Sequence, residues 1–186
     1  MLRQRAESKG LVLNLEMAED LPRLTESDEN KLRQILINLV GNAIKFTSEG
    51  GVTIKVSYIS IVKANTLSLI IDVIDTGVGI AAKDRNRIFE PFIQLEGKSD
   101  QKGTGLGLTI TKQFIELLSG SIRVESELSK GSKFHVELPI TLSRISEVTP
   151  VGPREMQILR LAPDQPEYRI LIVEDVYENW KLLSQL

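Results

Sequence analysis

The chain has 186 residues, 41% of them hydrophobic and 26% charged, with a formal net charge of −2, and a balance so close to neutral argues against a nucleic-acid or membrane-surface role resting on bulk charge. It has no cysteine, which excludes thiolate catalysis, disulfides and cysteine-based zinc sites. Its apolar runs break well before the roughly 18 residues a membrane span needs and Met1 sits among polar and charged residues, so the expectation is a cytoplasmic segment with one packed domain and something smaller.

Residues 1–10 (MLRQRAESKG) read as the frayed end of a helix stopped by Gly10, and LVLNLEM (11–17) alternates as a strand does. Asp28 to Thr47 reads as one helix, with Ser27 or Asp28 as N-cap and Glu29 in its first turn. At about 100° per residue, Leu32, Ile35, Leu36, Leu39, Val40 and Ala43 gather into a core-facing stripe. Gln34, Asn38, Asn42 and Lys45 form a second, narrow stripe roughly opposite its centre. Asn and Gly41 each cost about 0.5–1 kcal/mol against Ala in a helix, and Lys or Glu would solvate a plain outer face at lower cost. The pattern therefore suggests amide oxygens for a hydrated hard cation, with Lys45 nearby for anionic oxygens.

Glu49-Gly50-Gly51 ends the helix, and 52–61 and 66–75 then read as a hairpin rich in β-branched residues, turning at Lys63, Ala64 and Asn65. Leu69–Val73 is apolar with little alternation, as suits a central strand. A short helix is expected near Asp84–Phe89, and 96–102 (EGKSDQK), without an apolar anchor, reads as a lid. Leu106 to Leu118 should be a helix closed by Gly120, and 121–126 and 133–140 a hairpin with Lys130-Gly131-Ser132 in the bend. This order suits a two-layer α/β sandwich: a mixed sheet with helices on one face. Proline and glycine punctuate 142–167 as a linker, and 168–186 restarts with a buried-type strand, the acidic pair Glu174 and Asp175, and an amphipathic helix.

Helix NLVGNAIKFT, strand end IIDVIDTGVGI (70–80), RIFEPF (87–92) and GTGLGLTI (103–110) resemble, in this order, the N, G1, F and G2 boxes of the GHKL ATPases. In detail they are similar to the ATP-binding catalytic domain of sensor histidine kinases. The resemblance implies the Bergerat fold with an ATP lid over 11–141, preceded at 1–10 by the junction with a dimerisation helix. The tail from 168 resembles the opening of a response-regulator receiver domain, too short to build that core and expected to be poorly ordered or loosely packed.

The same resemblance assigns roles. Asp75 would accept a hydrogen bond from the adenine amine, and Gly77 and Gly79 would clear space for the ring. Asn42 would be the ligand to Mg²⁺, which bridges the ATP phosphates, and Lys45 would assist there. Ile80, Phe89, Phe92, Lys102, Gly103, Thr104, Gly105, Leu106 and Gly107 complete the nucleotide set, with Phe89 and Phe92 at the base of the lid and Lys102 reaching the γ-phosphate as it closes. Free N–H groups at the start of the second helix favour phosphate. Neither a Walker A sequence nor a dinucleotide-type Gly-x-Gly-x-x-Gly is present. Asn38 stands where the hydrolytic relatives carry a glutamate that activates water. A neutral amide is a poor base, so transfer to an external acceptor is favoured over hydrolysis.

His135, the single histidine, falls in a strand and reads as a sheet-face residue. The phosphoacceptor would sit on a separate dimerisation domain, without which this segment is not expected to autophosphorylate, and a receiver domain would be the next partner. The alternatives are a non-catalytic ATP-binding or docking module and, third, a serine kinase of the anti-sigma type, against which the receiver-like tail argues.

Overall fold

A computed structural model of the protein describes residues 2–22, 25–60, 66–94 and 104–142. Its helical layer is built on α2 (Glu29–Phe46), after α1 (Leu2–Glu7) and strands β1 (Val12–Met17) and β2 (Thr25–Glu26). Asp28 is the N-cap: its carboxylate accepts the Lys31 backbone N–H at 3.0 Å. Ile35, Leu39, Val40, Ala43 and Ile44 are buried and Leu32 and Leu36 partly so, on the side that the 3.6-residue period marks out. The amide stripe is displaced from its expected place. It lies beside the core face, where Asn38 is half-buried against α3 (Gly107–Leu117).

The sheet is mixed and six-stranded. Strands β1, β3 (Gly51–Ser60), β4 (Thr66–Asp75) and β6 (Gly131–Leu142) lie in that order, and β5 (Ser121–Glu127) and β2 both pair along the far side of β6. β1 runs parallel to β3, and every other pairing is antiparallel. Leu67, Leu69, Ile71, Val73 and Asp75 of β4 are buried in register with Ile140, Leu138, Val136, Phe134 and Ser132 of β6. The even-numbered residues of β4 point to the opposite face, so the apolar run of the central strand still alternates in burial. Asp75 thus reaches the end of its strand on the helix side.

Some expectations shift. The first segment is anchored rather than frayed: α1 runs over Leu2–Glu7, with Ala6 fully buried and Leu2 partly so, and Leu11 almost fully buried after it. Two 3₁₀ turns, Ala82–Asp84 and Arg87–Phe89, replace the single short helix. Gly131 and Ser132 belong to β6, with the bend at 128–130. The 63–65 turn, the whole 96–102 lid, the linker beyond 142 and the receiver-like tail with Glu174 and Asp175 lie outside the described residues. Among the described residues no helix is long and apolar enough to cross a membrane.

Candidate functional site

Asp75 is the buried carboxylate of the site, 7% exposed. Its Oδ1 accepts the backbone N–H of Gly77 at 2.8 Å and of Ser132 at 3.3 Å, and the Ser132 side chain also hydrogen-bonds the carboxylate. Burial pushes the carboxyl pKa up from the usual value of 3.8, and the Gly77 and Ser132 hydrogen bonds pull the other way without cancelling it. The result is a desolvated acceptor, held by Gly77 and Ser132 and with acceptor capacity to spare.

The turn that follows is suspended from two supports. On the α2 side, Phe46 O accepts the Val78 N–H at 3.3 Å, and Thr76 Oγ1 donates to Glu49 O at 2.9 Å while accepting the Gly51 N–H at 3.0 Å. On the hairpin side, Val78 O accepts the Ser129 N–H at 2.8 Å and Ser126 Oγ the Ile80 N–H at 2.7 Å. Gly79, at φ +69°, passes so close to the Glu127 carbonyl that a Cβ would overlap it. Thr76, Ser126 and Ser132 were not anticipated as parts of the site. Short hydroxyl residues at strand ends carry no local signal for a contact made dozens of residues away.

The other wall is the α2–α3 contact. Asn38 Nδ2 donates to Gly107 O at 3.3 Å and to Thr111 Oγ1 at 3.2 Å, and its Oδ1 accepts from Gln34 Nε2 at 3.1 Å. Thr111, fully buried, donates in turn to Gly107 O at 2.9 Å. Asn38 therefore ties the amide stripe to the start of α3. That start has no side-chain cap: Leu106 occupies the cap position, so the first-turn N–H groups remain open to an anion. Thr104 Oγ1 accepts the Leu106 N–H at 3.4 Å.

Gly105, at φ +73°, lies against Phe92, whose N–H donates to Gly105 O at 3.1 Å; a Cβ on Gly105 would stand 2.8 Å from the Phe92 carbonyl carbon. The third and fourth sequence boxes are thus in backbone contact. Phe92 does not pack as expected. Its backbone is left-handed at φ 62° and its ring is 72% exposed, because the turn that meets Gly105 aims the side chain outward. Phe89 and Ile80 do pack against the core, and Lys112 Nζ lies 5.9 Å from the Phe89 ring centroid. Lys102 and Gly103 lie outside the described residues.

Asn42 is half-buried one turn beyond Asn38 and has no side-chain hydrogen-bond partner among the described residues. Lys45 holds its ammonium 5.1 Å over the Phe46 ring. No cluster of three or more His, Asp or Glu suited to a metal occurs among the described residues. A cation here would take one uncommitted amide oxygen and complete its shell with phosphates and water, a donor set that fits Mg²⁺.

Residues 27–142 match the family described as histidine kinase-, DNA gyrase B-, and HSP90-like ATPase. The chain is 38% identical over 185 residues to the autoinducer 2 sensor kinase/phosphatase LuxQ of Vibrio cholerae, a match covering 95% of this chain and 20% of LuxQ. The chain spans about a fifth of the length of the LuxQ relatives it matches. Among solved structures, full-length ShkA in complex with AMPPNP superposes with a TM-score of 0.62 at 36% identity, over 76% of this chain and 30% of ShkA. The nucleotide-free catalytic domain of the histidine kinase ThkA gives 0.56 at 28% identity, over 74% of this chain and 86% of that one.

Proposed function

This chain belongs to the histidine kinase-, DNA gyrase B- and HSP90-like ATPases, and from that premise we propose that it holds Mg-ATP between α2, the Asp75–Ile80 turn and α3 for phosphoryl transfer to a histidine. The acceptor histidine would sit on a dimerisation domain, a receiver domain would take the group next, and the work would be done in the cytoplasm, where ATP is. The observation that carries the reading is Asp75, a buried carboxylate at the strand end beside the Gly77–Gly79 turn, with acceptor capacity beyond its Gly77 and Ser132 donors for an adenine amine.

Each group has a separate task. The open N–H groups of α3 receive phosphate oxygens, and Thr104, Gly105 and Leu106 shape the backbone that leads to them. Asn42 and Lys45 face the phosphate end, with Asn42 as the Mg²⁺ ligand; the bound ion supplies charge neutralisation at the phosphates. Asn38 is committed to Gly107 and Thr111 and is no base, so water is not activated from this position and the γ-phosphoryl group is kept for the partner. Lys102 and Gly103 retain their expected places at the lid as part of the proposal.

The test is incubation with γ-labelled ATP and a separately supplied dimerisation domain. Acid-labile, base-stable label on the partner's histidine is expected. Nucleotide binding without transfer would reduce the chain to an ATP-binding or docking module, and absence of any ATP binding would remove the reading altogether.

A further inference from the structure

The last four carbonyls of an α-helix have no partner within it, and each has to be satisfied from outside. In α2 all four are accounted for. Ala43 O accepts from Thr47, the backbone N–H at 3.1 Å and the Oγ1 hydroxyl at 2.7 Å. Phe46 O accepts the Val78 N–H at 3.3 Å. The two between them, Ile44 O and Lys45 O, take the ammonium of Lys9 at 2.8 and 2.9 Å, and Thr47 O lies 3.4 Å from the same nitrogen.

Lys9 is held where this requires. Ala6, on the preceding helix, is fully buried, and Gly10 turns the chain at φ +68° so that the Leu11 N–H returns to Ala6 O at 2.9 Å. The next N–H, of Val12, donates to Gly50 O at 3.0 Å, just past the end of α2. A cation at the negative end of a helix is favourable electrostatically, and an ammonium with three donors suits several carbonyls at once.

We propose that Lys9 is a positioning residue for nucleotide binding. By gathering the C-terminal carbonyls of α2, it fixes the Phe46 carbonyl from which Val78 hangs, and so the height of the Asp75–Ile80 turn over the purine. It acts through α2 and touches no nucleotide. The inference rests on the ATP reading of the site, but its first readout does not.

The experiment compares the wild-type chain with Lys9→Met, Lys9→Arg and, as a control for general destabilisation, Leu142→Ala at the far end of β6. All are measured at a temperature where each is folded, by amide hydrogen exchange at Val78 and by ATP titration. Lys9→Met should speed exchange at Val78 about tenfold and weaken ATP binding about fivefold, with Lys9→Arg between it and wild type and Leu142→Ala changing neither. Val78 exchange unchanged in Lys9→Met, or moved equally by Leu142→Ala, overturns the proposal. Should Lys9→Met not fold, Lys9→Arg decides: a planar fork cannot reproduce one ammonium shared by three carbonyls, so unchanged exchange there is equally fatal. If the wild-type chain binds no ATP, the nucleotide reading falls while Val78 exchange still reports whether Lys9 supports the turn.

Discussion

Asp75 and His135 stand on neighbouring strands of one sheet and face opposite ways. His135 looks out from β6, directly across from Asp72 of β4. Its Nδ1 lies 2.6 Å from Asp72 Oδ1 and its Nε2 2.9 Å from Glu137 Oε1. Those carboxylates have further partners, with Lys133 Nζ 3.4 Å from Asp72 and Arg123 Nη2 2.6 Å from Glu137. Both ring nitrogens are therefore engaged. Asp75 looks inward from β4 in a desolvated position, its donors among the described residues limited to Gly77 and Ser132 where a carboxylate can accept about four hydrogen bonds. Saturated polarity at the surface is architecture, whereas residual hydrogen-bonding capacity in a buried place is what a ligand completes.

The sharpest way to break this contrast is Asp75→Asn. The folded-state pKa of Asp75 is raised above 3.8, chiefly by burial. Its contribution to stability is therefore fully present below the ordinary carboxylate pKa and is lost as pH rises through the raised value, so at neutral pH the ionised group costs the fold. Asparagine keeps an oxygen for the Gly77 and Ser132 N–H groups and carries no charge. Asp75→Asn is expected to be at least as stable as wild type in urea at neutral pH, with the gap closing toward about pH 3, while ATP affinity drops about 100-fold or more. For the same reason, wild-type affinity should weaken as pH falls toward the raised pKa. A variant that loses stability at neutral pH and still binds ATP would invert the comparison.

Asn42→Ala tests whether the uncommitted amide is a metal ligand. Wild-type ATP affinity should fall about tenfold or more when the Mg²⁺ is chelated, and Asn42→Ala should already sit at that lower affinity and respond little to added Mg²⁺. A variant that keeps the full Mg²⁺ response would place the ion elsewhere. Asn38→Ala should do less. Gly107 O retains the Thr111 hydroxyl at 2.9 Å, so no carbonyl is orphaned, and the loss should be about 1 kcal/mol of stability with about a fivefold weaker ATP Kd.

What the sequence made legible follows from range. The Asp28 cap, the core stripe of α2, the β3–β4 hairpin and the four boxes are each read from residues within a few turns of one another, where periodicity and cap chemistry act. The sheet-face reading of His135 also followed from alternation alone. The supports of the site were not legible: Lys9 reaches 35 residues to Ile44, Ser132 reaches 57 to Asp75, and Asn38 reaches 73 to Thr111. Nothing local distinguishes these from surface lysines, serines and asparagines. The amide stripe was misplaced for a related reason, since a helical wheel gives angles but not which neighbour will flank the core. Two-residue β2 is shorter than any pattern can announce, and the exposure of Phe92 depends on a left-handed turn that composition does not encode.

The smallest expected effect belongs to His135, and it is the one that completes the contrast. Replacing it with leucine removes a ring from between Asp72 and Glu137, yet Lys133 and Arg123 remain to neutralise them. Glu137 is 38% and Arg123 64% accessible, so solvent screens that pair, while Asp72, 17% accessible, keeps Lys133 Nζ at 3.4 Å. The leucine stays compatible with a strand, and the inward face of β6 is untouched. The outcome should be a stability change within about 1 kcal/mol in urea and an ATP affinity equal to wild type. A His135→Leu variant that folds and fails to bind ATP would mean that the outer face of the sheet communicates with the site, and the division between saturated and unsaturated polar groups would no longer separate scaffold from function.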